Sequence, residues 1–277
     1  MTWCAVDIVA PEEMRQAVGH WLVGATGQAI EERSDGTLVG FLPHQSESPR
    51  LAQELHEAFG SDVAFSSRPL EEVDWTLRWR DGLGPREIGR LLVTPSWVPV
   101  MGWTDRPTVV LDPGMAFGSG EHGSTRGALT LLERHLACGD RVLDLGSGSG
   151  ILAIAAVKLG ARTAIGIEVD EEANPVARRN AERNAVAETV HFLDGDAAVL
   201  VPLLGPAELI LSNILRNVNV SLLPVIHAAL APDGTAIFSG MEVEEAGLFR
   251  PVLGANGFEI TAEVEDSGWW SVAARRG

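Results

Sequence analysis

The sequence predicts an α/β protein in which a Rossmann-like domain follows a small ferredoxin-like α+β domain. Strands alternate with helices from residue 123 onward, a pattern that favours βαβ units and a mostly parallel sheet. The first 70 residues instead follow a β-α-β-β-α-β order. The length of 277 residues also exceeds the ~100–200 residues of a usual single domain. We therefore expect domains at 1–70 and 111–277, joined by a linker at 71–110.

The first domain is predicted from short apolar segments separated by turn residues. Ser34, Asp35 and Gly36 lie between two strand-like segments and indicate a hairpin. The expected elements are strand 3–9, helix 11–22, strands 28–33 and 37–42, helix 49–59 and strand 62–66. The histidines of this region are isolated from one another, so no catalytic cluster is expected in it.

Tryptophan, proline and glycine are concentrated in the predicted linker. Its four tryptophans are Trp75, Trp79, Trp97 and Trp103. Because a mobile linker would leave this much aromatic surface in water, we expect these side chains to pack against one or both domains. A contact with substrate is the alternative for any one of them.

The second domain is predicted from the continued alternation of helices and strands. The expected elements are helix 124–135, strand 141–145, helix 151–159, strand 163–168, helix 171–184, strands 190–193 and 208–212, helix 218–230, strand 235–239, helix 243–253 and strands 258–265 and 269–274. Only Asp266, Ser267 and Gly268 separate the last two strands, which signals a hairpin. The last strand is therefore expected to run antiparallel in an otherwise parallel sheet.

Composition argues against several classes of function. The chain has 21 basic and 38 acidic residues and a net charge of −17, so it lacks the basic face expected for direct nucleic-acid binding. Cys4 and Cys138 have no metal-ligand spacing, and we expect neither a metal site nor disulfides, which fits a reducing cytoplasm. No uncharged run reaches the ~20 residues of a membrane span. An acidic surface suits a basic protein partner, although ordinary soluble proteins also carry one.

Residues 144–150, Asp-Leu-Gly-Ser-Gly-Ser-Gly, form a glycine turn between the first strand and the first helix of the predicted βαβ units. Ligands of open α/β sheets bind beyond the carboxyl ends of the strands, and glycines let the backbone approach them closely. Gly146, Gly148 and Gly150 match G-x-G-x-G and fail the dinucleotide pattern G-x-G-x-x-G. The turn therefore favours S-adenosylmethionine. Asp144 is expected to orient the turn or to reach the methionine ammonium through water.

Acidic residues at the ends of the next two strands are candidates for binding the rest of this cofactor. Glu168 follows Gly146 by 22 residues, close to the ~20 at which a carboxylate accepts hydrogen bonds from ribose hydroxyls. Asp170 could compete for this role. Asp194 and Asp196 follow the third strand, where either can receive the adenine amino group or serve only a turn or helix cap.

Asn213 ends the fourth strand at the predicted binding edge. Its amide can accept a hydrogen bond from a target amine and aim the nitrogen lone pair at the methyl group, as can adjacent backbone carbonyls. Methyl transfer needs mainly proximity and in-line geometry from a protein, because the cofactor already activates the methyl group. The alternative is that Asn213 only caps the following segment.

Residues 111–126, Leu-Asp-Pro-Gly-Met-Ala-Phe-Gly-Ser-Gly-Glu-His-Gly-Ser-Thr-Arg, form a second glycine-rich run, the flap, which leads into a helix. The flap and the glycine turn, with Ile151-Leu-Ala-Ile-Ala-Ala, Asn180-Ala-Glu-Arg-Asn184 and Asn213-Ile-Leu, closely resemble the PrmA family. Members of that family methylate a large-subunit ribosomal protein of the stalk base. Segments 74–79 and 95–97 resemble the family's linker, and the resemblance covers essentially the whole chain.

The resemblance implies a cytoplasmic, S-adenosylmethionine-dependent methyltransferase that acts on lysine ε-amines, and on an N-terminal α-amine, of a basic ribosomal protein. We expect it to be a monomer that binds neither nucleic acid nor membranes. The resemblance implies cofactor contacts by Thr125, Gly146, Glu168 and Asn213, with Phe117 and His122 near the methionine end; Asp144, Gly148 and Asp194 complete the candidates, and no general base is identified.

The flap departs from the family's usual Gly-Thr-Gly-Thr-His-Pro-Thr-Thr at four positions. These are Ser119, Glu121, Gly123 and Ser124, while His122 and Thr125 match. Glu168 stands where members usually have Asp, which preserves hydrogen bonding to ribose. A methyltransferase acting on lysine of a different protein, or on a small amine, is the alternative.

Overall fold

A computed structural model describes residues 4–26, 30–33, 35–69, 84–98, 106–112 and 117–277. The chain divides into two compact units, Met1–Gly82 and Leu83–Gly277. In the described part of the chain, no helix is long and apolar enough to cross a membrane.

The first unit is built on an antiparallel sheet with two helices. Its elements are β1 (Cys4–Val9), α1 (Glu12–Thr26), β2 (Glu31–Glu32), β3 (Leu38–Leu42), α2 (Ser48–Phe59) and β4 (Ala64–Pro69). Their sheet order is β2-β3-β1-β4, with every neighbouring pair antiparallel. This confirms the ferredoxin-like arrangement predicted from the sequence. Val6 and Ile8 of β1 share one buried cluster with Leu22 of α1 and Leu55 of α2, so alternate residues of β1 face the helices.

The second unit contains a seven-stranded sheet flanked by helices. Its strands are β8 (Arg141–Leu145), β9 (Thr163–Glu168), β10 (Val190–Asp194), β11 (Ala207–Asn213), β12 (Leu230–Glu242), β13 (Phe258–Asp266) and β14 (Trp269–Arg276). Its helices are α3 (Gly123–His135), α4 (Ile151–Leu159), α5 (Ala173–Arg183), α6 (Ala197–Leu204), α7 (Arg216–Ala229) and α8 (Ala246–Ala255).

The strand order of this sheet is β10-β9-β8-β11-β12-β14-β13. The pairs from β10 to β12 are parallel, whereas β14 runs antiparallel to both of its neighbours. This confirms the predicted Rossmann-like domain with an antiparallel last strand. Strands β10, β9, β8, β11 and β12 are adjacent in the order, which brings the carboxyl ends of five parallel strands to one edge.

Two apolar cores lie on the two faces of the sheet. One contains Leu209 and Leu211 of β11 with residues of α3, α4 and α5. The other contains Ile210 of the same strand with residues of α6, α7 and α8. Successive residues of β11 therefore enter different cores, as expected for a parallel strand covered on both faces.

Part of the predicted linker has regular structure. β5 (Arg86–Ile88), β6 (Leu91–Thr94) and β7 (Thr108–Val110) form a three-stranded sheet in the second unit. Leu91, Val93 and Val109 lie in the same core as α3 and α4. Strands of three or four residues among proline and glycine give little periodic signal, which is why the sequence indicated only a connector. Trp75, Trp79 and Trp103 lie outside the described residues, so their packing stays a prediction.

Two features of the second unit were not predicted from the sequence: helix α6 and the hydrogen bonds of Asn184. Helix α6 was not predicted, because its eight residues are mostly apolar, show no helical period and include Pro202. Asn184, at the end of α5, holds β7. Its Oδ1 accepts from the Val110 N–H at 2.8 Å, and its Nδ2 donates to the Val110 and Asn180 carbonyls at 2.6 and 2.8 Å.

Candidate functional site

A cavity of about 640 Å³ lies at the carboxyl edge of the parallel strands. The glycine turn, the loops after β9, β10 and β11, the end of β12 and the flap contribute to its wall. The lining residues are Phe117, His122, Ser124, Gly146, Gly148, Ile167, Glu168, Val169, Gly195, Asp196, Ala197, Ala198, Asn213, Ile214, Leu215, Val218, Ser221, Leu222, Gly240 and Trp269. This is the edge at which open α/β sheets bind their ligands.

The three glycine positions of the glycine turn have no room for a side chain. Gly146, Gly148 and Gly150 have φ values of +71°, +51° and +81°, in the left-handed region that favours glycine. A Cβ on Gly148 would lie 2.6 Å from the carbonyl oxygen of Phe117, which is far inside van der Waals contact. The turn therefore packs directly against the flap, and its backbone faces the cavity at Gly146 and Gly148.

Asp144 lies beneath the glycine turn and not in the cavity wall. Its side chain is completely buried, and Oδ2 accepts from the Ala153 N–H in the first turn of α4 at 3.1 Å. Oδ1 has no hydrogen-bond partner among the described residues. Burial raises the pKa of Asp144 to about 7, although the bond from Ala153 acts in the opposite direction. The geometry supports the predicted role of orienting the turn.

Glu168 joins the end of β9 to the glycine turn. Oε2 accepts from the Gly148 N–H at 2.9 Å, and Oε1 accepts from the N–H groups of Val169 and Asp170 at 2.8 and 3.1 Å. A carboxylate has about four lone-pair sites, so three backbone bonds leave capacity for a ribose hydroxyl. Glu168 also lines the cavity, where it is placed for the role predicted from its spacing.

Asn213 lines the cavity and carries a buried acceptor without a partner. Its side chain is only 9% exposed, and Nδ2 donates to Oγ1 of Thr125 at a long distance of 3.4 Å. Oδ1 is buried and has no partner among the described residues. Thr125 is fully buried and does not line the cavity, so the structure places it behind Asn213. A direct cofactor contact by Thr125 stays a prediction.

The described part of the flap places two rings at the cavity. His122 contacts Trp269 in a tilted arrangement with ring centroids 4.2 Å apart and meets Phe117 edge-on at 5.4 Å. Its Nδ1 is 2.7 Å from Oγ of Ser124. Burial, helped by the nearby charge of Arg126, lowers the pKa of His122 and so favours the neutral ring. Trp269 was not among the predicted site residues.

Ionic and backbone contacts fix the flap. Ser149 of the glycine turn donates from its backbone N–H to the Phe117 carbonyl at 2.9 Å. Arg126 binds both carboxylate oxygens of Asp266 at 2.7 Å and also donates to the Glu121 carbonyl. Arg86 forms a bidentate ion pair with the Glu121 side chain. Glu121, one of the four departures from the family pattern, thus ties the flap to β5.

The structure does not bring Asp194 to the cavity. Its carboxylate accepts from Nδ2 of Asn174 at 2.6 Å and from Arg178 at 3.0 Å, and these bonds lower the pKa of Asp194. Asp196 does line the cavity, where its side chain caps α6 by accepting from the Ala198 N–H at 2.8 Å. The two carboxylates were equivalent candidates in sequence, and the side chain of Asp194 is already engaged by α5.

The arrangement suits a nucleoside joined to a reactive group. Glu168 provides a hydrogen-bond acceptor, and apolar residues near it offer contact surface for a flat base. Asn213 provides a second, neutral acceptor on the wall formed by the end of β11.

Trp269 could have been found from the sequence, because an antiparallel strand begins at the edge where parallel strands end.

Comparisons with known proteins agree on one family. The family described as "Ribosomal protein L11 methyltransferase (PrmA)" matches residues 7–277. A relative of that name from Desulfitobacterium hafniense is 39% identical over 281 residues, covering 98% of this chain and 89% of the relative. One from Thermus thermophilus is 38% identical over 236 residues, covering 81% and 91%. A crystal structure described as ribosomal protein L11 methylase from Lactobacillus delbrueckii subsp. bulgaricus has a TM-score of 0.62 and 31% identity, covering 70% of this chain and 98% of that one.

Proposed function

Because the chain belongs to the ribosomal protein L11 methyltransferase (PrmA) family, we propose that it transfers methyl groups to lysine ε-amines of ribosomal protein L11. The chain is an S-adenosylmethionine-dependent methyltransferase, and its L11 substrate follows the names of its relatives. The observation that carries the proposal is the Asn213 side chain, which lines the same cavity as the glycine turn and whose buried Oδ1 has no partner among the described residues.

The residues present fit the cofactor. The glycine turn brings bare backbone to the cavity wall, Glu168 would accept hydrogen bonds from ribose hydroxyls, and the buried Asp144 keeps the turn in place. Loop residues 195–198 lie where the adenine base is expected, which favours Asp196 over Asp194 as the polar contact. When bound, S-adenosylmethionine supplies an electrophilic methyl group on a sulfonium centre.

Asn213 orients the acceptor. An amine that donates one N–H to Oδ1 and the other to an adjacent backbone carbonyl has its nitrogen fixed, and the lone pair then occupies the one remaining direction. A lysine side chain arrives as an ammonium and must first lose a proton. The exposed apolar residues at the cavity, Leu215 and Val218, disfavour the charged form and so lower the pKa of a bound amine. His122 is a weak base, because its own pKa is lowered.

The first unit is proposed to recognise the ribosomal protein, which corresponds to the domain at 1–70 expected from the sequence. The net charge of −17 suits a basic partner through long-range attraction, and it argues against direct contact with RNA. Methylation of an N-terminal α-amine belongs to the same proposal, as do a monomeric enzyme and a cytoplasmic site of action, where ribosomal proteins are made and assembled.

The test is methyl transfer from labelled S-adenosylmethionine to purified L11, followed by mass spectrometry of its peptides. We expect label on lysine side chains with the intact enzyme and a large loss with Asn213→Ala. Label that enters another protein of a cell lysate, with none on L11, would favour the alternative acceptor. Failure to bind S-adenosylhomocysteine in calorimetry would overturn the proposal altogether.

A further inference from the structure

Asn219 is a fully buried amide in the first turn of α7. Its Oδ1 accepts from Oγ of Ser212 at 2.7 Å. Its Nδ2 donates to the carbonyl of Ile214 at 2.9 Å and to the carbonyl of Ser239 at 3.1 Å. Asn219 does not line the cavity, but its partners lie at the cavity wall. Ile214 lines the cavity, and Ser212 and Ser239 are each next in the chain to a residue that does.

These partners surround the proposed acceptor wall. Ser212 precedes Asn213, Ile214 follows it, and Ser239 precedes Gly240 at the end of β12. A Cβ on Gly240 would lie 2.5 Å from the Ile214 carbonyl oxygen, and a Cβ on Gly146 would meet the Ile214 side chain. Ile214 therefore lies between β12 and the glycine turn, and Asn219 fixes the position of its carbonyl.

The same network reaches the opposite side of Asn213. Oγ of Ser239 donates to the Ser124 carbonyl at 2.8 Å and lies 2.7 Å from Oγ of Ser271. Ser124 precedes Thr125, which accepts from Nδ2 of Asn213. Both supports of the Asn213 side chain, the β11–α7 loop and the first turn of α3, are thus connected through Ser239 and Asn219.

Helix stability alone gives little reason for an amide at this position. Asparagine is a weaker helix former than leucine, and burying an amide is costly unless every hydrogen bond is made. Asn219 makes its bonds to the acceptor wall, whereas the apolar neighbours Leu222 and Leu223 supply the packing of α7. A satisfied buried network of this kind selects one geometry for the groups attached to it.

We propose that Asn219 is a positioning residue for methyl transfer, which it serves by fixing Ile214 and hence the acceptor oxygen of Asn213. The inference rests on the proposed function of Asn213. It assigns no contact between Asn219 and either substrate. Loss of Asn219 should leave cofactor binding nearly intact and slow the chemical step, because small errors in the placement of reacting groups cost rate and not affinity.

The experiment compares Asn219→Leu with Asn184→Leu. The two asparagines are matched, since each is at most 3% exposed, donates two hydrogen bonds and accepts one, but Asn184 holds β7. For Asn219→Leu we expect kcat on L11 to fall at least ~10-fold, with the Kd for S-adenosylhomocysteine within ~2-fold of wild type. For Asn184→Leu we expect a lower Tm with kcat within ~2-fold. An equal loss of kcat in both variants would overturn the inference.

Two further measurements keep the inference testable. Ser212→Ala removes only the bond to Oδ1 of Asn219 and replaces Asn219→Leu as the test if that variant does not fold. For Ser212→Ala we expect a smaller fall in kcat than for Asn219→Leu, with the Kd for S-adenosylhomocysteine unchanged. Amide hydrogen exchange at 213–216 should quicken in Asn219→Leu and not in Asn184→Leu, whatever the acceptor is. Unchanged exchange would overturn the positioning role, whereas a wild-type enzyme inactive on L11 would instead overturn the proposed function.

Discussion

The side chain of Asn213 has two ends with different surroundings. Nδ2 has one long hydrogen bond to Thr125, and Oδ1 has none among the described residues. A buried acceptor without a partner costs free energy of folding, of the order of 1–3 kcal/mol for an ordinary polar group. Such a cost is expected where a substrate supplies the missing donor. In this pair, Asn213 is the candidate acceptor for the substrate, and Thr125 supports its side chain.

Asn213→Ala should lower kcat by ~10²-fold, because the amine loses the acceptor that orients it. The Kd for S-adenosylhomocysteine should change by less than ~3-fold, since the glycine turn and Glu168 remain. Initial rates on L11 and calorimetry measure the two quantities. A parallel loss of affinity would show that Asn213 serves mainly as a cofactor contact.

Asp144 gives a prediction about pH. Burial raises its pKa from an ordinary 3.8 to about 7, so the folded protein holds this proton more tightly than the unfolded chain. Its contribution to stability is therefore complete below about pH 4 and is lost as the pH rises toward 7. Asp144→Asn, which mimics the neutral acid, should remove this dependence.

Urea denaturation of both proteins between pH 4 and pH 8 provides the measurement. The free energy of unfolding of the wild type should fall, relative to the variant, by up to about 1.4 kcal/mol per pH unit over the titration range. Curves that stay parallel across this range would show that Asp144 is already ionised in the folded protein at low pH.

At the scale of elements, the glycine turn and the flap behave as one assembly. Phe117 and Gly118 each receive a hydrogen bond from Ser149, and Gly148 has no space for a side chain beside Phe117. The cofactor cradle is therefore shaped by contacts between two loops that are distant in sequence. A substitution in either loop should therefore alter the conformation of the other.

Gly148→Ala should weaken S-adenosylhomocysteine binding by at least ~10-fold, because its Cβ would push Phe117 away and strain a left-handed backbone. Gly139→Ala is the control, since Gly139 also has a positive φ but has nothing within 4 Å of the added carbon. The control should lose some stability and keep its affinity. Equal affinities, measured by calorimetry, would contradict the proposed packing.

Elements with a clear period could be predicted from the sequence, and irregular ones could not. The strands around the glycine turn and the closing hairpin follow from alternation and turn residues. Helix α6 and strands β5 to β7 were missed, because short apolar segments beside proline or glycine fit no single period. Their assignment depends on tertiary contacts, such as the burial of Leu91 and Val109 against α3 and α4.

The residues of the candidate site that could be predicted from the sequence are those whose position at the end of a strand places them at the cavity. Gly146, Gly148, Glu168 and Asn213 end or follow strands, and all four line the cavity. The supporting residues could not be found in this way. Asn219 is one of several polar residues in α7, and nothing local to the sequence shows that its amide is buried or which carbonyls it meets.

At the scale of the whole molecule, the two units divide the proposed work. Among the described residues, those that line the cavity all belong to the second unit, whose described part contains the complete seven-stranded sheet. The first unit carries its own buried cluster. This independence of cores suggests an experiment on each unit by itself.

A protein of residues 83–277 should bind S-adenosylhomocysteine with a Kd within ~3-fold of the full chain. Its kcat/KM on L11 should fall at least ~10-fold, because the recognition surface proposed for the first unit is gone. Calorimetry and initial rates distinguish the two effects. Full activity of the shortened protein would overturn the proposed role of the first unit.

The antiparallel strand β14 has a consequence for the order of assembly during synthesis. β13 is made before β14, yet in the sheet β14 lies between β12 and β13. β13 thus has no strand to pair with until β14 has been made, and the hairpin of these two strands joins the rest of the sheet through β14 beside β12. Trp269, which contacts the His122 ring at the cavity, begins that same strand. Pairing of β14 with β12 therefore joins β13 to the sheet and brings Trp269 to the cavity wall at the same time.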